Sequence, residues 1–473
     1  MAYKHGVYVS EIPTSLTVPS ETDSAIQVVV GTAPVNLSKN LSEAVNRPVL
    51  AHRFSEAVEA LGYSDDFGSY TLCQSMDMSF RQFSVSPVIF INVLDPAKHI
   101  KPGTESVSFF NGKGILEADG ILIDESLTID GLVVDEDYTA AFDDNGKVVL
   151  TSLNDNMPNG TPCEVRFNQI DPSAVTVSDV VGGISTATNT ATGIEVISSI
   201  YSKLNLIPGA LLAPGWSHTP LVALALETKA RELSHVFKGI AIVDIDPSIR
   251  YDEVYEWKSQ NSYTSEFMID CYPKAVQGGK EYYLSSVLGA LLGQVDSEYS
   301  GIPYVSPSNH AAKITGAVLS DGREVNFDIE QANYMNSLGV VTVLNMGGWK
   351  MWGNNMACYP TNTDPKDRFI PVRRMFNYIE NTFISTYYQK VDSPMNRRLI
   401  ESVVDSENIR LNGFVSIGAL LGGAISFPRD RNPDTDLMNG TIRFMTQITP
   451  PTPAEYIENV FEFDATALEA LFE

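Results

Sequence analysis

Along most of the chain the apolar positions alternate between two rhythms. "AIQVVVGTA", "RPVLA" and "PVIFINVL" are near-continuous apolar runs of strand length, while "SEAVEALGY" and "SYTLCQSMDMSFRQF" between them space their apolar residues three or four apart. The alternation resumes after "GGISTATNTATG", which reads as a linker, with a helix from about Gly193, the strand "GALLAPG", a helix over "PLVALALETKARELSHVF" and the strand "GIAIVDI". "EFMIDCYP", "EYYLSSVLGALLGQVDS", "DIEQANYMNSLGVVTVLNM" and "GGWKMWG" continue it, with Asp328 capping a helix that Gly339 ends. Strands that are apolar throughout are covered on both faces, so the pattern predicts an α/β layered core.

Two stretches break the rhythm. After Asp95 and through Val181 the helical period vanishes, and short strand-like runs are punctuated by "NGKG", "ADG", "DDNG" and "PNGTP". Roughly sixteen acids face about five bases there, so the pattern predicts an acidic, mainly β domain inserted into the α/β one. Its acids read either as an ordinary solvated face or as an outward-facing module. From Phe369, "FIPVRRMFNYIENTFISTYYQKV" has the apolar spacing of a long amphipathic helix, and "SPMNRRLIESVVDSENIRLNGF" reads as a second helical region.

Both ends carry strand-like runs without a sheet to join. "GVYVSEI", from Gly6 to Ile12, is parted from the body by Pro13, Pro19 and the stretch "TSLTVPSETDS". At the other end Ile457, Asn459, Phe461 and Phe463 alternate with Tyr456, Glu458, Val460, Glu462 and Asp464, the period of a half-buried strand. Pro450, Pro451 and Pro453 bias the spacer after "TIRFMTQIT" toward an extended conformation, which disfavours a tight hairpin and points to a partner on another molecule. The predicted organisation is therefore an α+β/α/β multidomain chain. It has an amino-terminal arm and linker (1–24), an α/β core in two parts (25–95 and 186–358), the inserted acidic β-rich domain (96–185), a carboxy-terminal α+β domain (359–450) and a carboxy-terminal arm (451–473).

Composition narrows the function classes. A chain of 473 residues, 44% hydrophobic and 19% charged, can build several globular cores. Its net charge of -26 argues against nucleic acid as a main partner, because phosphate binding needs basic surface, and favours basic partner surfaces. No window holds the roughly eighteen consecutive apolar residues of a membrane span, and "MAYKHGVYVSEIP" lacks the apolar core of a signal peptide. The expectation is a protein folded in a cytoplasm, without direct membrane insertion. Cys73, Cys163, Cys271 and Cys358 stand far apart with no CxxC pair, and read as buried reduced thiols.

Catalytic motifs are sparse. The chain has no G-x-x-x-x-G-K-[ST] loop, no G-x-G-x-x-G after a strand, no G-x-S-x-G elbow and no H-E-x-x-H. "DRNPDTDLMNGT" offers oxygens at Asp430, Asn432, Asp434 and Asp436, but Thr435 stands where a calcium loop needs glycine and Thr441 where it needs glutamate. The six histidines, His218, His235 and His310 among them, have no partner at metal-ligand spacing and read as surface or capping residues. No cofactor or metal is expected. An α/β enzyme with an inserted β domain remains an alternative reading without named chemistry.

"NSLGVVTVLNMGGWKMWGNNM" followed by "FIPVRRMFNYIENTFI" resembles the contractile tail sheath proteins of bacteriophages and of related injection machines such as R-type bacteriocins. The resemblance rests on Trp352 and Gly353, then Val372, Arg373, Arg374, Tyr378, Ile379 and Glu380, and it extends through "HGVYVSEIP", "RPVL", "PVIFINVL", "LLAPGWS", "GIAIVDID" and "NGTIRFMTQITPPTPAEYIENVFEFD". "WGNNM" departs from it, since many relatives carry an arginine-threonine pair there. The resemblance implies a non-enzymatic polymer of stacked hexameric rings around a tail tube. It would be bounded by baseplate and tail terminator proteins, sit in a virion tail or phage-tail-like particle, and contract to drive the tube through a cell envelope. It also implies that the arms donate strands to neighbours. Val7, Tyr8, Val9 and Ile12 would belong to one arm and Ile457, Val460, Phe461 and Phe463 to the other, with Ile442, Phe444 and Ile448 on a receiving strand. Arg373, Arg374, Arg397 and Arg398 are candidates to face the tube, or to pair within the subunit. Another phage structural protein is the remaining alternative.

Overall fold

The computed structural model describes residues 24–143, 145–154, 160 and 162–472. The alternating runs become one eight-stranded sheet. Its strands are β1 (Gln27–Gly31), β2 (Pro48–Ala51), β3 (Val88–Asn92), β4 (Ala210–Leu212), β5 (Ile240–Asp244), β6 (Met268–Cys271), β7 (Val340–Asn345) and β8 (Trp349–Trp352), in the order β8-β7-β6-β5-β4-β1-β3-β2. Pairing is parallel throughout the middle, and only the edge strands β2 and β8 run antiparallel to their neighbours. β1, β3, β5 and β6 are buried along their whole lengths, as strands covered on both faces must be.

Helix α1 (Leu284–Glu298) shows how closely the layers pack. A Cβ on Gly289 would stand 2.7 Å from Leu212 Cδ2, and one on Gly293 2.4 Å from Val85 Cγ1. The glycines of "SSVLGALLGQ" therefore seat the helix against the sheet and the loop before β3.

Two local expectations change. "SYTLCQSMDMSFRQF" is α-helical over Thr71–Met76 and widens into a π-turn over Asp77–Gln82. That turn carries Asp77 inward, where it accepts the Tyr282 hydroxyl at 2.7 Å and pairs with Arg81 at 3.2 Å. "GGISTATNTATG" is not an open linker: Gly183–Ile184 and Ala191–Thr192 pair as a short antiparallel hairpin.

Between Ile100 and Ile170 lie two three-stranded antiparallel sheets, one of Ile100–Ser108, Pro162–Ile170 and Thr128–Ile129, the other of Lys113–Leu116, Val148–Ser152 and Tyr138–Phe142. They enclose a core of their own that includes Phe109, Leu116, Tyr138, Leu150 and Val165. Cys73, Cys271 and Cys358 are buried, but Cys163 is only half-buried: it faces this small core from the open end of its strand. The carboxy-terminal segment contributes α2 (Ile370–Tyr387), α3 (Arg397–Ser416), β9 (Gly422–Ser426) and β10 (Met445–Thr449), packed around Met375, Ile379, Leu411, Leu420 and Ile425. Amide side chains bolt α2 to the core: Asn377 Nδ2 donates to Gly239 O at 3.0 Å and Asn381 Nδ2 to Lys238 O at 2.7 Å.

Candidate functional site

β9 and β10 form a two-stranded antiparallel sheet, and no third described strand joins it. The strand begins later than its apolar pattern suggests. Ile442 and Phe444 precede β10 and only Ile448 lies within it. The cause is Asn432, buried beneath the turn, which accepts from Arg443 N and donates to Arg443 O, both at 2.8 Å. The Arg443 backbone thus bonds to a side chain instead of a ladder. Phe444 and Ile448 point toward the helices and pack on the cluster around Met375. On β9 the Asn408 amide, from α3, accepts from Ile425 N at 2.9 Å and donates to Ile425 O at 3.1 Å. It does for that strand what another backbone would do.

The carboxy-terminal arm follows β10 directly. Pro450 is buried, but from residue 451 to 464 there is no regular structure, and Ile457, Phe461 and Phe463 are 85%, 88% and 81% exposed. A 3₁₀ run over Ala465–Leu471 closes the chain. Contiguous apolar exposure of this kind marks an interaction surface. The other arm's candidates, Val7, Tyr8, Val9 and Ile12, lie outside the described residues.

The four arginines separate into two pairs. Arg374 is 4% exposed and forms a bidentate ion pair with Asp296 at the end of α1, while its Nη2 also donates to Ser24 O at 3.3 Å. Arg373, 5% exposed, bonds Asp367 at 3.1 Å and lies over the rings of Phe267 and Phe376. Within the subunit, then, neither presents its charge to a tube, because both sit on the buried face of α2 with carboxylate partners. Arg397 and Arg398 are exposed at the start of α3, and Arg397 pairs with Glu401 at 2.6 Å.

No family profile matches the chain. The tail sheath protein of Burkholderia phage BcepMu is 27% identical over 474 residues, an alignment spanning 96% of this chain and 95% of that one. The contracted sheath complex of the PVC extracellular contractile injection system shares the fold, with a TM-score of 0.58 at 14% identity over 99% of each chain. Over nearly its whole length the chain is similar to contractile tail sheath proteins. A chain from the baseplate structure of the anti-feeding prophage also superposes on the sheath subunit, with a TM-score of 0.58 at 14% identity over 98% of this chain and 100% of that one.

The sheath motif residues serve the fold. Trp352 ends β8 and donates from Nε1 to Asn333 Oδ1 at 3.2 Å. Gly353 has φ of 140°, and a Cβ there would meet Asn336 Oδ1 at 2.7 Å. Chemistry is likewise absorbed internally. Buried Asp244 accepts from Ser285 N at 2.9 Å, from Ser285 Oγ and from Ser217 Oγ at 3.1 Å, so these hydroxyls hold a carboxylate instead of offering a nucleophile. Burial pushes Asp244 up to about 6 against those hydrogen bonds, and pushes the Cys73 and Cys358 thiols up to about 12 and about 11. In the calcium-like stretch Asp434 and Asp436 pair with Arg429 and Arg443, and no group of metal-ligating side chains occurs among the described residues. No described helix is long and apolar enough to cross a membrane. The pattern of the sequence did not single out Asn408, Arg368 or Glu455, whose partners lie far along the chain and leave no local signature.

Proposed function

We propose that this sheath subunit polymerises as stacked hexameric rings around a tail tube, linked by strands that its two arms donate to neighbours, and contracts to drive the tube through a target cell envelope. One observation carries the reading. The apolar side chains from Ile457 to Phe463 are 80% exposed or more, and the run follows a sheet that has two strands among the described residues. Each is what the other lacks.

Strand addition gives affinity through backbone hydrogen bonds and register through alternate side chains. Bonds worth about 1 kcal/mol each are offset by ordering costs of about 1 to 2 kcal/mol per residue, so burial of Ile457, Phe461 and Phe463 decides whether the joint holds. The prolines before the run would let the body re-aim while the donated strand stays paired. The partners under this reading are other copies of the subunit, the tail tube protein, and baseplate and tail terminator proteins. Neither nucleic acid nor membrane insertion is required. The assembly sits in a virion tail or phage-tail-like particle built in the bacterial host cytoplasm. Arg397 and Arg398 are the arginines left free enough to face the tube.

The test is a chain truncated after Pro453, inspected by electron microscopy and sedimentation. Loss of helical polymers with a folded subunit is expected; normal polymers from the truncated chain would sink the reading.

A further inference from the structure

We propose that Arg368 and Glu455 form a latch that aims the carboxy-terminal arm, setting where it leaves the subunit. The proposal rests on the strand-donation reading and adds the residues that position the donated strand.

The Arg368 guanidinium is held before the arm reaches it. Its Cζ lies 4.6 Å from the Tyr359 ring centroid and 4.2 Å from that of Phe369, and Nε donates to Asn355 Oδ1 at 3.2 Å. Asn355 lies in "WGNNM", just past the end of β8. Two ring contacts and the Asn355 bond restrain the fork, so pairing with one more group costs little further side-chain freedom. The free Nη2 donates to Glu455 Oε2 at 2.8 Å, a contact across 87 residues of sequence.

Glu455 is also where the subunit's hold on its arm ends. Pro450 is buried, while Tyr456, Ile457, Val460, Phe461 and Phe463 beyond Glu455 are all at least 80% exposed. The arm root, Pro453–Glu455, borders a cleft of about 570 Å³ that is also lined by Trp352, Asn355 and Arg368. With the latch closed, the donated run starts at Ile457, two residues past Glu455. With it open, the tether ahead of that run starts near Pro451, which spreads the strand over a larger volume and lowers its effective concentration.

The experiment measures the critical concentration for polymerisation of the full-length chain by sedimentation. Glu455→Gln and Glu455→Arg alter an exposed position and leave the subunit folded. Each is expected to raise the critical concentration roughly two- to fivefold, from tether length and a lost partly exposed ion pair together. Arg368→Lys keeps the charge but loses the stacked fork, and is expected to behave like Glu455→Gln. The charge swap, Arg368→Glu with Glu455→Arg, should return the value toward that of the unmodified chain, which a merely structural role for either residue would not do. Glu455 variants that assemble at the unmodified concentration, or below it, would overturn the latch. A chain truncated after Glu455 separates the two ideas. If it polymerises normally, strand donation itself is wrong; if it fails while Glu455→Arg assembles normally, only the latch is.

Discussion

Phe90 and Phe461 both lie in apolar runs with the pattern of a strand. Phe90, in β3, is wholly buried between layers, while Phe461, in the arm, is 88% exposed. Intrinsic strand character is similar; the difference is whether the rest of the same chain supplies neighbours. The same contrast divides the arginines, since Arg374 is sealed against Asp296 and Arg397 pairs with Glu401 in water. The body of the chain is satisfied from within, whereas the apolar positions of the arm are left uncovered by the described residues.

The sharpest way to break this comparison is to truncate both rings. Phe90→Ala should cost the subunit about 3 to 5 kcal/mol in urea unfolding. Phe461→Ala should leave the unfolding midpoint where it is and yet deplete polymers in sedimentation. A comparable loss of subunit stability from Phe461→Ala would show that the arm packs at home. Arg374→Ala comes next, because it strands a buried carboxylate at Asp296: a loss of roughly 3 kcal/mol or more is expected by the same measurement.

A smaller effect comes from Asp244, raised from 3.8 to about 6 by burial. The folded state then holds its proton more tightly than the unfolded one. Its contribution is fully present below about pH 4 and is lost as pH rises through about 6, on the order of 3 kcal/mol. The stability of the unmodified chain relative to Asp244→Asn should therefore improve as pH falls from 7 to 4, and a flat difference would rule the titration out. The smallest effect is at Arg397 and Arg398. Reversing both charges should leave subunit melting unchanged, whereas assembly on preformed tubes should weaken if they face the tube. Unchanged assembly would return them to ordinary surface.

Much of the body was legible because its signal is local. Continuous apolar runs such as "VVVG" and "VIFIN" became buried parallel strands, and the loss of helical spacing after Asp95 marked the β-rich insert. Ile442 and Phe444 extend the apolar alternation ahead of β10, yet the strand starts at Met445, because the group that stops the ladder, Asn432, sits eleven residues from Arg443 in sequence. "RR" on an amphipathic helix leaves open whether its charges face solvent or a buried carboxylate, and the partner of Arg374 lies 78 residues away.

By itself, then, the sequence determined the periods: which segments have strand or helix spacing, and that a strand-like apolar alternation follows Pro453 with no partner beside it. Only the tertiary structure decided the pairings. It placed Asp296 against Arg374, Asn408 against Ile425 and Glu455 against Arg368, and it left Ile457 to Phe463 uncovered. The physical reason is range. Periodicity is written in neighbouring residues through backbone geometry, whereas a salt bridge or a sheet edge depends on where distant segments meet, which no local pattern records.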